Sequence, residues 1–148
     1  MDNENVVCLL HKVNRMLFDL KAAALKDEDI DSSFSQILTL AFLHSHNDKP
    51  INFKQLKENS RLKGPSLTSL IDNMEKKGLV VRVDGEDDKR EIFIKLTDLG
   101  IEKAEKYKKI IDNIDKQVIR GLLEEKEIEE LKVLLMKLEK NLENSDIK

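Results

Sequence analysis

The sequence has one cysteine, Cys8, and no long apolar run. A single cysteine cannot form an internal disulfide, and its scarcity fits a reducing compartment, so we expect a cytoplasmic protein. The longest unbroken apolar stretches are only a few residues, too short for a membrane-spanning helix. The opening residues MDNENVV lack the basic start and apolar block of a signal peptide, so we expect none.

Residue patterns that carry enzyme chemistry are missing as well. We find no nucleophile paired with a base, no glycine-rich phosphate loop and no cofactor motif, so we predict neither enzymatic activity nor a cofactor. The three histidines are His11, His44 and His46, and the last two would point to different faces of a helix. No cysteine or carboxylate cluster adds ligands at metal-binding spacing, so we predict no metal site.

What the sequence has in abundance is charge. At 148 residues, with 40% apolar and 37% charged residues, it has the composition of one soluble, helix-rich domain. The net charge is −3, but residues 52–95 contain ten Lys or Arg against eight Asp or Glu, a local charge of +2. The remainder contains sixteen against twenty-one, a local charge of −5. This mild asymmetry is compatible with nucleic-acid binding.

Apolar residues at steps of three and four predict helices in the first half of the chain. A long helix covers 4–26, and a second begins at a cap on Ser32 or Ser33 and ends before Pro50. Two short helices then follow in close succession within 51–78. Their predicted end signals are Asn52 as a cap of the first, Gly64 and Pro65 at the start of the second, and Gly78 after its end.

Two strands and two long helices are predicted next. Residues 79–83 (LVVRV) and 91–96 (EIFIKL) have strand composition, and DGEDDKR between them is the loop of a β-hairpin. Thr97 is a helix-cap candidate, the following helix extends to Gly121, and the last begins near Glu124. The predicted fold is mainly α with a small β-hairpin wing, a winged helix-turn-helix. The second helix of such a motif lies in the DNA major groove, and the basic wing tip would reach the minor groove.

Three stretches make the sequence similar to the MarR family of bacterial transcription regulators: FSQILTL (34–40), NMEKKGLVVR (73–82) and DKREIFIKLTDLG (88–100). The wing signature of that family is filled by Asp88, Arg90, Leu96, Thr97 and Gly100. The resemblance implies a single domain over 1–148, with dimerisation helices at 1–30 and 101–148 and a DNA-binding lobe at 33–100. It also implies an obligate homodimer on a pseudo-palindromic operator, usually released by a ligand or an oxidant.

Helical geometry then separates the faces of the second short helix. Leu67, Leu70, Ile71 and Met74 form the face predicted to be buried, so the opposite face is free to meet DNA. Asp72 on that face is unfavourable near phosphates unless it is paired, and Asp88 is expected to support Arg90. The candidate DNA contacts, each of which could instead be an ordinary solvated side chain, are Lys63, Pro65, Ser66, Thr68, Ser69, Asn73, Lys76, Lys89 and Arg90.

Cys8 has two interpretations. It is either a small apolar residue buried on the dimerisation helix or the thiol of a redox sensor, which some relatives carry near the start of this helix. A sensing thiol needs neighbouring donors or cations. Relatives supply tyrosine hydroxyls, whereas the counterpart here is Phe34 and the one tyrosine is Tyr107.

We therefore predict a homodimeric, sequence-specific transcription regulator, a repressor that a small ligand releases from double-stranded DNA. One alternative is a dimeric winged-helix adaptor that contacts proteins and no DNA, which the weak basicity and Asp72 favour and the intact wing motif opposes. The other is a regulator that senses oxidants through Cys8.

Overall fold

The computed structural model describes residues 5–27, 33–60 and 64–145. They divide into two compact units, 1–110 and 111–148. The elements in chain order are α1 (Val6–Asp27), α2 (Phe34–Ser45), β1 (Ile51–Asn52), α3 (Phe53–Ser60), α4 (Gly64–Lys76), β2 (Val80–Asp84), β3 (Ile92–Leu96), α5 (Asp98–Ile114), a π-helical segment (Asp115–Arg120) and α6 (Glu125–Glu143). The predicted winged helix-turn-helix, mainly α with a small hairpin, is confirmed.

Side-chain caps fix the starts of two helices. The Ser33 hydroxyl accepts a hydrogen bond from the backbone N–H of Gln36 at 3.3 Å, which selects Ser33 as the cap of α2. Asn52 Oδ1 accepts from the Gln55 N–H at 2.8 Å, and Gln55 Oε1 accepts from the Asn52 N–H at 2.9 Å. This reciprocal pair satisfies two donors that a helix start leaves without partners. It confirms Asn52 as the cap of α3.

The junctions on either side of the hairpin are fixed by Gly78 and Thr97. Gly78 has φ of 73°, a left-handed conformation that glycine adopts without a steric penalty, and it ends α4 as predicted. Thr97 caps α5, because its hydroxyl accepts from the N–H of Gly100 at 3.1 Å. The same hydroxyl donates to the carbonyl of Gly78, so one side chain joins the two ends of the hairpin.

The hairpin belongs to a three-stranded antiparallel sheet in the order β1-β3-β2. Arg82 and Ile51 both lie opposite Ile94, which places β3 in the middle. The sequence predicted β2 and β3 but not β1. Two residues are too few for an alternating pattern, and β1 exists because β3 supplies its hydrogen-bond partners.

The core of the first unit lies between the sheet and the helices around it. On α4, Leu67, Ile71 and Met74 are fully buried and Leu70 is half-buried, as the periodicity predicted. The other members of this cluster are Leu40, Leu43, Ile51, Leu56, Leu79, Val80, Ile94 and Ala104. Burial of the α4 stripe determines that its polar side faces solvent.

The helix predicted to extend to Gly121 changes its winding after Ile114. Residues Asp115–Arg120 form a π-helical segment instead of continuing α5. Arg120 Nε lies 2.7 Å from Asp115 Oδ2, five residues earlier. That spacing matches one wider turn, since a π-helix bonds residue i to i+5.

Both long terminal helices carry exposed apolar side chains. On α1 these include Val6, Val13, Met16 and Leu20. On α6 only Ile128 is buried, while a series of apolar residues is exposed: Leu131, Val133, Leu134, Leu135, Met136, Leu138 and Leu142. Within the described ranges, each helix is too short or too polar to cross a lipid bilayer.

Candidate nucleic-acid interface

The outward face of α4 is polar and exposed along its length. The candidate residues on it that the structure describes with their side chains are all exposed: Ser66, Thr68, Ser69, Asn73 and Lys76. Pro65 lies in the first turn of the helix, and Lys63 lies outside the described residues. Hydroxyl and amide groups here can donate to or accept from base edges and phosphate oxygens. The face therefore has the chemistry of a DNA-reading surface.

The tip of the wing is a compact loop built around Gly85. Its N–H donates to the carbonyl of Glu91 at 2.8 Å, and the Glu91 N–H donates to the carbonyl of Asp88 at 3.0 Å. A Cβ on Gly85 would lie 2.5 Å from the Asp88 carbonyl oxygen, so no larger residue fits without moving the backbone. The loop thus has a defined shape that presents residues 86–90 to solvent.

Arg90 stands at this tip with its side chain 92% exposed. Its backbone N–H donates to Asp88 Oδ1 at 3.0 Å, and its Nε donates to the same oxygen at 3.2 Å. Lys89 beside it is also exposed. Asp88 therefore contacts Arg90 both at its backbone and at the Nε of its guanidinium, while the side chain as a whole stays open to solvent.

The wing is tied to the start of α3. Asn52, the cap of α3, donates from Nδ2 to Glu91 Oε1 at 2.7 Å. An open groove of about 880 Å³ lies at this junction, and its lining includes Lys54 and Lys57 of α3 together with Arg90. The lining also contains the carboxylates of Asp88 and Glu91, so the groove has mixed charge with one more cation than anions.

Arg82 is the functional candidate that the sequence reasoning missed. It lies on β2 and reaches α4, where its two guanidinium nitrogens pair with Asp72 Oδ1 at 2.6 Å and Glu75 Oε1 at 3.0 Å. Its backbone N–H also donates to Glu75 Oε2 at 3.1 Å. Partial burial lowers the pKa of Arg82, but the hydrogen bonds and charges of the two carboxylates outweigh burial and raise it. Asp72 is thus paired with a cation. An unpaired carboxylate at this position would be unfavourable near DNA phosphates, and that condition does not apply.

No local pattern in the sequence could have identified this cluster, because ten residues separate Arg82 from Asp72. The hairpin must first fold back beside α4. Arginine is suited to the position, since its planar guanidinium presents donors in a fork that two carboxylates can share.

Cys8 is exposed in the single chain, so the predicted burial requires a partner subunit. Phe34, the expected counterpart of a tyrosine near the thiol, packs against Phe18 instead, with ring centroids 5.1 Å apart. Lys21 Nζ lies 4.9 Å from the centroid of the Phe34 ring. Tyr107 is buried, and burial raises the pKa of its hydroxyl.

His44 and His46 have their own partners on α2 and α5. His44 Nε2 lies 3.7 Å from Glu105 Oε1, and His46 Nδ1 lies 2.9 Å from the carbonyl oxygen of Phe42. Among the residues with described positions, three or more histidine, cysteine, aspartate or glutamate side chains nowhere gather as a metal site would require.

Comparison with known proteins agrees with this geometry. Residues 33–92 match the model of the MarR family. The chain is 31% identical over 112 residues to the HTH-type transcriptional regulator SarZ of Staphylococcus haemolyticus, covering 74% of this chain and 73% of SarZ. It is 35% identical over 92 residues to the HTH-type transcriptional regulator FarR of Neisseria gonorrhoeae. That match spans 61% of this chain and 61% of FarR, about three fifths of the relative's length.

Among solved structures, the chain resembles MepR of S. aureus in its DNA-binding conformation, with a TM-score of 0.82 and 26% identity over 94% of this chain and 99% of MepR. The MepR–DNA complex matches with a TM-score of 0.80 and 25% identity over 95% and 99%. MepR bound to ethidium bromide matches with a TM-score of 0.62 and 25% identity over 96% and 99%. By its sequence, its fold and the motif of its wing, the chain belongs to the MarR family of transcriptional regulators.

Proposed function

We propose that this protein is a homodimeric transcriptional repressor of the cytoplasm that binds a pseudo-palindromic operator in double-stranded DNA. The observation that carries the proposal is the pairing of an exposed polar face on α4 with an exposed Arg90 that Asp88 holds at the wing tip. In a winged helix-turn-helix, the helix corresponding to α4 contacts the major groove, and the wing tip reaches the flanking minor groove. MepR, which has this fold, has been solved in complex with DNA.

The chemistry of each side chain indicates which part of the DNA it would contact. Ser66, Ser69 and Asn73 would meet base edges in the major groove, where short hydroxyl and amide groups discriminate among bases. Arg90 would enter the flanking minor groove, whose negative potential attracts arginine. Lys76 and Lys89 would contact phosphates, and Lys63 and Thr68 belong to the same proposed surface. Each phosphate contact releases counterions, so binding should weaken steeply as salt rises.

The exposed apolar faces of α1 and α6 support the homodimer. Exposed apolar patches of this extent are unusual on monomers and mark protein interfaces. A two-fold dimer would present two copies of α4, and their separation must match half-sites about one helical turn apart. Operator pseudo-symmetry then follows from the symmetry of the protein.

Release by a small ligand is the third part of the proposal. A modest change in the distance between the two copies of α4 would break the match to the half-sites. Ligand sites favour junctions between structural units, so we expect the ligand to bind between the dimerisation helices and the DNA-binding lobe. MepR, which is similar to this chain, has been solved bound to a small molecule, ethidium bromide.

The deciding experiment measures binding of the purified protein to DNA from upstream of its own gene. Fluorescence anisotropy at low and at moderate salt, with a scrambled duplex of equal length and composition as competitor, separates specific from non-specific binding. We expect saturable binding to the upstream DNA that the scrambled duplex fails to displace. Equal affinity for both duplexes, or no binding at low salt, would reject the proposal and favour the adaptor.

A redox-regulated repressor is the second candidate, and the exposure of the Cys8 thiol favours it. His11 and Lys12 follow Cys8 by three and four residues, which places them beside it on the helix surface. Both side chains carry N–H groups that can donate a hydrogen bond to a neighbouring sulfur. This candidate shares the DNA-binding surface with the first and differs only in the signal that releases DNA.

A further inference from the structure

We infer that Arg82 is a positioning residue for operator binding, which acts through Asp72 and Glu75 and makes no contact with DNA. The inference rests on the proposed DNA binding and gives a role to Arg82, which is not part of the wing signature. Asp72 and Glu75 are carboxylates on the helix proposed to enter the major groove, with 49% and 42% of their side chains exposed.

Without a partner, both carboxylates would repel the phosphates that line the groove. Arg82 places one guanidinium nitrogen 2.6 Å from Asp72 and the other 3.0 Å from Glu75, so one cation is shared by both. Charge-assisted hydrogen bonds of this kind are stronger than neutral ones. The guanidinium also keeps its charge over the whole working pH range, which a lysine or histidine in a changing environment need not do.

The position of Arg82 in the sheet explains why it faces α4 and not solvent. Successive residues of a strand point to opposite faces. Val81 and Val83 are exposed, whereas Arg82 is opposite the buried Ile94 and only 27% of its side chain is accessible. Both guanidinium ends are already engaged by carboxylates. A side chain held in this way is unsuited to reach a phosphate.

The same contacts connect the two DNA-reading elements mechanically. Arg82 bonds to α4 through its side chain and through its backbone N–H to Glu75 Oε2, on a strand that leads directly to the wing loop. Loss of the guanidinium therefore has two consequences. It leaves two uncompensated carboxylates beside the DNA, and it removes a fixed link between α4 and the hairpin.

The test is a set of four proteins: the parent, Arg82→Gln, Asp72→Asn with Glu75→Gln, and the triple variant. Binding to one operator duplex is measured by anisotropy at fixed salt and well below each melting temperature. In the parent background we expect Arg82→Gln to weaken binding by about tenfold, because like charges placed together at an interface are costly. In the background without carboxylates, we expect the same change to weaken binding by less than about threefold, because the repulsion is gone.

A matched control is Lys95→Gln. Lys95 lies opposite Val81 on the hairpin, so it points to the other sheet face from Arg82, and its loss removes the same charge. We expect its effect on affinity to be equal in the two backgrounds. This comparison separates a general change in net charge from the specific link between Arg82 and the carboxylates.

Two results would contradict the inference directly, and a third would contradict the proposed function first. If Arg82→Gln costs the same factor in both backgrounds, Arg82 touches DNA itself and the inference is wrong. If Arg82→Gln lowers the melting temperature but leaves affinity unchanged, the cluster serves stability alone and the inference is also wrong. If the parent binds no DNA, the proposed function fails first, and the inference fails with it.

Discussion

The carboxylate of Asp88 receives both the backbone N–H and the side-chain Nε of Arg90, at 3.0 and 3.2 Å, through a single oxygen. This arrangement ties the guanidinium Nε to the loop, while 92% of the Arg90 side chain stays exposed. Two residues of a loop therefore form a short, pre-oriented arm. Pre-orientation lowers the entropy that a long side chain loses when it binds.

The first prediction concerns this arm. Arg90→Ala should weaken operator binding by about 1–3 kcal/mol, the cost expected for losing one specific arginine contact. The loss should leave the fold intact, because the guanidinium tip packs against nothing in the core. Anisotropy titrations at matched salt, with circular dichroism as a check on folding, measure both. The control Lys126→Ala removes an equally exposed charge from α6, where 86% of the side chain is accessible, and should leave affinity unchanged. Equal affinity of Arg90→Ala and the parent would mean that the wing tip is only a solvated turn.

The second prediction concerns the joint between α3 and the wing. Asn52→Ala should lower the free energy of unfolding by about 1 kcal/mol or somewhat more, because it removes the helix cap and the hydrogen bond to Glu91 together. Asn52→Ser retains a capping oxygen and loses only the Glu91 bond, so it should recover most of the stability. Chemical denaturation of the three proteins measures the difference. Should serine prove as destabilising as alanine, the bond to Glu91 and not the cap is the important contact.

The third prediction concerns assembly. The protein should be a dimer at micromolar concentration, because the apolar residues exposed on α1 and α6 need a partner surface. Leu135→Lys should weaken the dimer, since it places a charge in that apolar surface. Glu130→Lys introduces the same residue about 140° around α6 from Leu135, at a position that is already charged, and should weaken the dimer less. Sedimentation velocity distinguishes these states, and a folded monomer of the parent protein would contradict the prediction.

The fourth prediction concerns the signal. Cys8→Ser should keep DNA binding and any response to the ligand, because pairing of α1 with a partner subunit would cover the thiol that is exposed in the single chain. The parent and Cys8→Ser proteins are treated with peroxide, and operator binding is compared before and after. We expect the parent and Cys8→Ser proteins to retain the same fraction of their operator binding after peroxide treatment. Release of DNA by the oxidised parent alone would establish the thiol as the sensor and reject the small-ligand proposal.

The sequence by itself determined those features that depend on residues close along the chain. The α4 stripe with its polar reverse side, the caps at Asn52 and Thr97, a cap at one of Ser32 and Ser33, and the left-handed end at Gly78 follow from helix periodicity and local hydrogen-bonding rules. The wing motif likewise identified Asp88 and Arg90, whose contact spans two residues. Local rules succeed here because the interacting groups are already neighbours before the chain folds.

Only the tertiary structure decided the features that join distant residues. β1 forms because β3 offers it partners, and Asn52 meets Glu91 across 39 residues. Asp72 changed from an unfavourable charge to a paired one when the hairpin brought Arg82 beside it. Such contacts depend on the strand register and on how distant elements pack together, and no spacing rule in the sequence encodes either of them.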